Sequence, residues 1–401
     1  MAGTDPMLLK AVAAHQAGDL GTARAVYERI LRRRPGDADA LNFLGMLECQ
    51  QGNLKKGIQL LRHSLREAPS NPHAWINLGN ALAQIRELED ATGAFEQAAE
   101  LAPDLWQPWY NLGVLLRQTG RFEEALDCMK KALLANPDHN ITYKRIGDLL
   151  ARLGRMEEAR QVYREWFEYN PSNPMARHMY AATSGEKIPQ RAADDYVVEL
   201  FDNFASSFDE VLENLGYQAP QLVAQAIERQ LGAPGAAEPC DILDAGCGTG
   251  LCGPLLRPWA RRLTGVDLSS GMVKKARARD AYDELVVREL CQFMNSRAEQ
   301  FDVVLSADTL VYFGDLGGAM AAASRCLRTR GVLVFTVERF DTEDATATFR
   351  LETHGRYSHA KGYIRAVLAE SGFEVVELDE RVLRKELNQD VGGLLVVARR
   401  H

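Results

Sequence analysis

Asp244, Gly246, Gly248 and Gly250 stand at alternate positions in the run Ile242-Leu-Asp-Ala-Gly-Cys-Gly-Thr-Gly250, and Asp267 closes the next apolar segment, Leu263-Thr-Gly-Val-Asp267. Glycines without a Cβ let the backbone approach a nucleotide-like ligand closely. A carboxylate at the end of a second strand accepts two hydrogen bonds from a ribose diol. Asp244, two residues ahead of the first glycine, suits a cationic group and repels a pyrophosphate. Together these residues predict a crevice for a nucleotide-like ligand with a ribose. Gly248-Thr-Gly-Leu-Cys-Gly253 also fits the dinucleotide pattern G-x-G-x-x-G. Three features argue against that reading: the position of Asp244, the strict alternation of the glycines, and Leu268-Ser-Ser-Gly-Met272 directly after the second acid.

These residues resemble class I S-adenosylmethionine-dependent methyltransferases over about residues 238–401. The resemblance implies S-adenosyl-L-methionine as cofactor. It implies that the loop of Asp244, Gly246, Cys247, Gly248 and Gly250 wraps the methionine part, that Asp267 holds the ribose, and that Leu268 and Met272 line the adenine. Glu289 and Leu290 fall where that family contacts the adenine amino group; aspartate is common there, and glutamate is a departure. Asp308, with Thr309-Leu-Val-Tyr312 behind it, falls where the family's fourth strand faces both methyl donor and acceptor, making Tyr312 a candidate catalytic residue. The stretch Thr353-His-Gly-Arg-Tyr-Ser-His359 is expected to overhang the acceptor and is similar to methyltransferases with attached repeats predicted in bacteria. His359 titrates near neutrality in water and is a candidate base; capping the next helix, or only orienting substrate, is the equal alternative. Glu352, His354 and His359 lack a fourth clear ligand, so no metal is expected.

The elements that position these residues alternate. Short apolar segments begin at Asp241, Leu263, Leu285, Phe301, Gly331, Phe373 and Gly393, with helical stretches between most of them. That order predicts a doubly wound, Rossmann-like α/β sheet with its ligand beyond the carboxyl ends of the central strands.

Residues 1–173 follow another rule. Prolines recur at 35, 69, 103, 137 and 171. A small residue recurs at 11, 45, 79, 113 and 147, and another at 23, 57, 91, 125 and 159. A constant period of this size marks a solenoid of helix pairs that cross at the small residues. The pattern resembles the tetratricopeptide repeat in five units, 4–37, 38–71, 72–105, 106–139 and 140–173, the first degraded by Ala11 and Lys10. The resemblance implies a protein or peptide partner on the groove of the array. Tyr110, Val114, Arg117, Lys144, Asp148 and Arg152 are groove candidates of mixed chemistry, without the basic-plus-asparagine pattern of the family's chaperone-tail clamps.

Residues 174–237 are expected to be a linker and a helical cap. Tyr196, Phe201, Phe204 and Phe208 put an aromatic face on one helix, and Gln221–Leu231 forms another. The net charge of −8 argues against wholesale binding to nucleic acid or to anionic membrane. Seven cysteines with no C-x-x-C pair argue against a disulfide framework or structural zinc. No apolar run approaches membrane-span length, and Met1-Ala-Gly-Thr-Asp-Pro-Met has no leader pattern, so a cytoplasmic enzyme is expected. The expected class is thus an all-α solenoid followed by an α/β methyltransferase domain, the array recruiting a partner or a carrier-bound substrate. The alternatives are a small-molecule methyltransferase whose array only makes a homodimer, and a non-catalytic cofactor-binding scaffold.

Overall fold

The computed structural model describes residues 5–205, 207–236, 238–386 and 389–401. Met1–Thr4 and Ala237, which fall within the leader reading, the first repeat and the end of the expected cap, lie outside the described residues. The chain divides into two compact units, Met1–Val162 and Tyr163–His401.

The first unit is a run of antiparallel helix pairs: α1 Pro6–Gln16 with α2 Leu20–Arg33, α3 Ala38–Gln50 with α4 Leu54–Glu67, α5 Pro72–Gln84 with α6 Leu88–Leu101, and α7 Trp106–Gln118 with α8 Phe122–Ala135. Then come α9 Asn140–Arg152 and α10 Met156–Tyr169. The division between units thus falls inside α10, ahead of the Pro171 boundary taken from the period. Side-chain caps start several helices: Asp19 accepts from the Thr22 N–H, Asp37 from Ala40, and Asn71 from His73 and Ala74. The small residues sit at the crossings. A Cβ on Gly57 would lie 2.8 Å from the Gly45 carbonyl oxygen, and one on Gly113 would lie 2.7 Å from the Met129 side chain. The period also fixes turns. The Trp75 indole donates to the Pro69 carbonyl (2.8 Å), and the Trp109 indole to that of Pro103 (2.9 Å).

The second unit opens with four helices: α11 Pro174–Ser184, α12 Asp194–Phe204, α13 Phe208–Asn214 and α14 Ala219–Leu231. The start of the expected linker is therefore an ordered helix. Met175, Ala176, Met179, Ala181 and Ala182 bury one side of α11, and the His178 Nε2 is 2.8 Å from the Gly355 carbonyl. Polar composition hid this because the apolar side is built largely of alanine and methionine.

The sheet follows. β1 Cys240–Ala245, β2 Ala260–Asp267, β3 Glu284–Val287, β4 Phe301–Ser306 and β5 Leu327–Arg339 are parallel in the order β3-β2-β1-β4-β5. Between them run α15 Gly253–Leu256, α16 Ser270–Arg277, α17 Leu290–Asn295 and α18 Gly317–Cys326. A small hairpin, β6 Phe349–Leu351 and β7 Tyr357–His359, leans on the end of β5, and α19 Lys361–Glu370 follows. β8 Phe373–Glu386 and β9 Gln389–Arg400 pair with each other, and β9 runs antiparallel to β5. Side chains alternate between two cores, as a pleated sheet requires. Leu243, Val304, Leu333, Phe335 and Val396 pack on α18 and α19, while Ile242, Val303, Leu305, Val334 and Val397 pack on α14. The fold is the expected doubly wound α/β sheet. Strand order reverses between β1 and β4, and sheets of this kind take ligands beyond the carboxyl ends at such a switch point.

Candidate active site

The carboxyl ends of β1 and β4 are stitched together. Ser306 Oγ donates to the Ala245 carbonyl (2.8 Å), and Thr309 Oγ1 donates to that of Gly246 (3.1 Å). Gly246 has φ +87°, and its N–H and that of Cys247 both donate to the Val266 carbonyl. Gly248 has φ +53°, and a Cβ there would meet no atom within 4 Å. The loop therefore turns a bare backbone toward open space, which is the cradle a close-fitting ligand needs.

Two acids bracket that cradle. Asp267 Oδ2 accepts from the Gly248 N–H and Oδ1 from the Ser269 N–H, both at 2.9 Å. Burial raises its carboxyl above the usual range against the pull of these N–H groups. Asp244 is 1% exposed; its Oδ2 accepts from the Tyr282 hydroxyl (2.7 Å), and its Oδ1 is buried without a hydrogen-bond partner. Burial pushes Asp244 up to about 7, with the Tyr282 hydroxyl opposing and the charge of Asp267 adding. A buried carboxylate oxygen with no partner is costly, and a ligand cation relieves it. Cys247 lies beside both acids; burial and their charges raise its thiol well above the ordinary range, so it is no nucleophile.

The residues expected on the adenine side divide. Leu268 is partly exposed, next to Asp267. Met272 is 1% exposed, in the first turn of α16. Glu289 caps α17, accepting from the Cys291 N–H (3.1 Å) and the Gln292 N–H (2.7 Å), with Arg191 at 3.6 Å. Both of its oxygens are engaged in that cap. Leu290 packs into the core against α18.

Asp308 takes a left-handed backbone, φ +55°, at the switch point. Its N–H donates to Thr336 Oγ1 (2.9 Å), and its Oδ2 receives Arg384 Nη1 (2.7 Å). Its Oδ1 is buried and unpartnered. Arg384, 3% exposed, also donates to Glu338 Oε1 and to Glu386 Oε1 (2.7 Å). Arg356 bridges the same two glutamates at 2.6 Å each. Burial drives Asp308 up against the pull of Arg384. Burial works the same way on Glu338, but Arg356 and Arg384 outweigh it and hold that carboxyl below its usual range. Sequence reading missed Arg384, Glu338 and Glu386 as site residues. The available signal was Arg384 and Glu386 at alternate positions, which places both on one face of a strand.

Tyr312 stands next to this cluster, its ring edge-on to Phe201 of α12 at 5.3 Å, and burial pushes its phenol up to about 12. Tyr217 joins it: the N–H of Gln218 donates to the Leu383 carbonyl and that of Lys385 to the Leu215 carbonyl, fixing Tyr217 beside Arg384.

His359 does not join the group. It is fully buried in β7, and its Nε2 lies 2.9 Å from the Phe313 carbonyl and 3.1 Å from that of Gly314. Burial lowers its pKa to about 4, so it is neutral at physiological pH and donates to those carbonyls. His359, expected either as a base or as a capping or orienting residue, here holds the Tyr312–Asp315 segment. The same segment is gripped from its other side by the Gln190 carbonyl, which accepts from the Gly314 and Asp315 N–H groups, and by the Ala192 N–H.

The cap is fastened to the cradle by two acids. Asp202 of α12 accepts from Ser269 Oγ (2.5 Å) and the Gly271 N–H (3.0 Å) at the start of α16. Asp209 of α13 accepts from Thr249 Oγ1 (2.5 Å) and Arg279 (2.6 Å), and Arg279 also holds the Thr249 carbonyl. Sequence reading placed aromatics on this cap and overlooked its acids. Among the described residues no group of three or more His, Cys, Asp or Glu side chains could hold a metal ion, and no helix is long and apolar enough to cross a membrane.

Residues 243–335 match a family model described as a methyltransferase domain. Residues 8–72 and 110–174 match one described as a tetratricopeptide repeat, and 49–112 match a second of the same description. The malonyl-[acyl-carrier protein] O-methyltransferase of Acetivibrio thermocellus is 38% identical over 100 residues, 24% of this chain and 35% of that protein. Methyltransferase-like protein 27 of Homo sapiens is 36% identical over 145 residues, 36% of this chain and 56% of its own length. The malonyl-[acyl-carrier protein] O-methyltransferase of Serratia marcescens is 32% identical over 141 residues, covering 35% and 51%. The chain thus spans between about a third and just over half of the length of these relatives. Among solved structures, a crystal structure of MamA matches with 23% identity over 39% of this chain and 92% of that chain, at a TM-score of 0.37. The chain carries a methyltransferase domain behind tetratricopeptide repeats.

Proposed function

We propose that this chain is a cytoplasmic S-adenosylmethionine-dependent methyltransferase whose repeat array brings it a protein partner or a carrier-bound acceptor. The observation that supports the cofactor most directly is the buried, unpartnered Oδ1 of Asp244 across an open glycine loop from Asp267. Asp244 would hold the ligand's amino group, the Gly246–Gly250 backbone its methionine part and Asp267 its ribose, with Leu268 and Met272 toward the base. Glu289 is committed to its helix cap, so the adenine amino group falls to backbone near Leu290. When bound, S-adenosylmethionine supplies a methyl group on a cationic sulfur that needs no further activation. The chain's own task is then alignment and exclusion of water. Asp308 and Tyr312 orient the acceptor, Arg384 fixes Asp308, and His359 fixes the Tyr312 segment. The division of labour is 1–173 for recruitment, 174–237 for the cap and 238–401 for transfer. Several relatives are named for an acyl group on a carrier protein, which supports a carried acceptor here.

Calorimetric titration with S-adenosylmethionine tests the cofactor. Asp267→Asn keeps one acceptor and loses the other, and is expected to weaken binding about 100-fold. Undiminished binding by that variant, or tighter binding of NAD, would refute the assignment. Radiolabelled methyl appearing in a protein band of a lysate supports the recruiting array. Label confined to small molecules favours the dimerising alternative, and binding without any transfer favours the scaffold.

The pH dependence is also fixed. A cationic ligand needs the ionised form of Asp244, whose free-state carboxyl titrates at about 7. Below that value the free carboxyl is increasingly protonated and binding releases up to one proton, so affinity falls toward about tenfold per pH unit. Calorimetry in buffers of different ionisation enthalpy is expected to register that proton release in wild type at pH 6. Asp244→Asn, which Tyr282 still serves as donor, is expected to show none.

A further inference from the structure

We propose that the groove of the repeat array takes an acidic peptide segment, at a cationic and aromatic site formed by α7 and α9. This rests on the recruiting role proposed above and names the chemistry of what is recruited.

Trp106, Tyr110 and Arg117 lie along one stripe of α7, four and then seven residues apart, and Arg145 and Arg152 are seven apart on α9. Trp106 packs against His139 with ring centroids 4.0 Å apart, and Tyr110 meets the edge of His139 at 4.8 Å. Arg145 Nε donates to the Tyr110 hydroxyl (2.8 Å), and the Arg152 guanidinium lies 4.9 Å from the centre of the Phe122 ring. The Nε of Arg117 is buried without a hydrogen-bond partner. Among the described residues none of these three arginines has a carboxylate within salt-bridge distance. The nearby acid Asp148 receives Lys144 on both oxygens, at 3.1 and 2.8 Å.

Three guanidiniums that cannot shed their protons are thus gathered on one face. Burial lowers the pKa of Arg117, the charges of Arg145 and Arg152 add to that, and Asp148 opposes. Such an arrangement is costly until an anion enters, and a guanidinium fork matches a carboxylate in two bonds. The same site has an aromatic shelf of Trp106, Tyr110 and His139, which suits an apolar peptide side chain between the acids. In-phase positions along the array show where the charge begins. Residues 77 and 111 are asparagines, paired to Asn42 and Asn80 (2.9 and 3.0 Å), and residue 145 is arginine. The chain's net charge of −8 disfavours a nucleic-acid strand as occupant.

Fluorescence anisotropy with the full chain decides this. The probes are a labelled dodecapeptide with glutamate at every third position, its glutamine counterpart and a single-stranded dodecanucleotide. The acidic peptide is expected to bind at least about tenfold more tightly than the glutamine peptide, and to lose that margin in Arg117→Gln/Arg145→Gln. Should the double variant fail to fold, Arg152→Gln, at an exposed position, is expected to lose a part of the margin while melting like wild type. Equal binding of the two peptides, unchanged binding by the variants, or tighter binding of the oligonucleotide overturns the proposal. Labelling of lysate proteins separates it from the recruiting role. A band methylated equally by wild type and double variant leaves recruitment standing and removes the acidic site, whereas no band with wild type counts against recruitment, and the peptide data still decide the acidic site.

Discussion

Arg384→Met is expected to lower the unfolding free energy of the C-terminal unit by about 3–5 kcal/mol. Methionine keeps much of the volume of the arginine stem, so the loss is electrostatic. In wild type the guanidinium serves Asp308, Glu338 and Glu386 together, at a position 3% exposed. Removing it strands Asp308, whose Oδ1 already lacks a partner, and leaves Glu338 and Glu386 to Arg356, with His354 Nε2 3.5 Å from Glu338. The sign of the pH dependence follows. Glu338 is held below its usual range in the folded state, so its stabilising contribution is present above the ordinary carboxylate range and fades as pH falls through the lowered value. In the variant Asp308 and Glu338 are both driven upward and take up protons on folding. Urea titrations are therefore expected to show the largest difference between wild type and variant near pH 8, and a shrinking one toward pH 5. A difference that does not change with pH, or one below about 1 kcal/mol, means the arginine is not what holds these acids.

The same cluster shows which parts of the site could be read from residues alone. The glycine loop was legible because its members are consecutive, and alternation of glycine with a preceding acid is a local pattern. Asp244, Gly246, Gly248 and Asp267 come together through one strand–turn–strand unit. Asp308 and Arg384 meet only through the sheet, because β8 is carried to β5 by β9. The charged run Asp379-Glu-Arg-Val-Leu-Arg-Lys-Glu386 reads as the end of a strand, yet β8 continues through it. Arg384 is compatible with a buried strand position only because three acids from elsewhere neutralise it. His359 stayed open between two roles for the complementary reason. Its neutral intrinsic pKa suggested a base, but β7 buries it completely and turns its Nε2 to two carbonyls, and no local pattern announces that. The helix pairs of the array were legible because each repeat is stabilised by its neighbours at a fixed period.

The cap links these parts. Asp202 and Asp209 bond to Ser269 and Thr249, on either side of Asp267 and the glycine loop, while Phe201 of the same cap touches Tyr312. The segment that touches Tyr312 is thus anchored beside the glycine loop and Asp267. Ordering one favours ordering the other, since both share the cost of fixing α12 and α13.

Alanine at Gly246 and alanine at Gly248 are expected to fail in different ways. At 246 the backbone has φ +87° and the new Cβ would sit 2.7 Å from the Thr309 Cβ, with the Thr309 Oγ1 and Cγ2 in direct collision. Left-handed strain of about 1–2 kcal/mol and overpacking of about 1–3 kcal/mol add, and Thr309 can yield only by giving up its bond to the Gly246 carbonyl. Gly246→Ala is therefore expected to melt well below wild type, with Thr309→Gly in the same chain restoring part of the loss. At 248 the φ is +53° and the added methyl meets nothing within 4 Å, so only the strain of about 1 kcal/mol applies. Gly248→Ala is expected to fold nearly as wild type does and yet to lose S-adenosylmethionine affinity by about 100-fold or more, because its methyl occupies the open side of the loop. The contrast is what tests the site. Two glycines two residues apart separate the packing of the switch point from the space open beside the loop. A Gly248→Ala protein that bound as tightly as wild type would place the ligand on some other side of the loop.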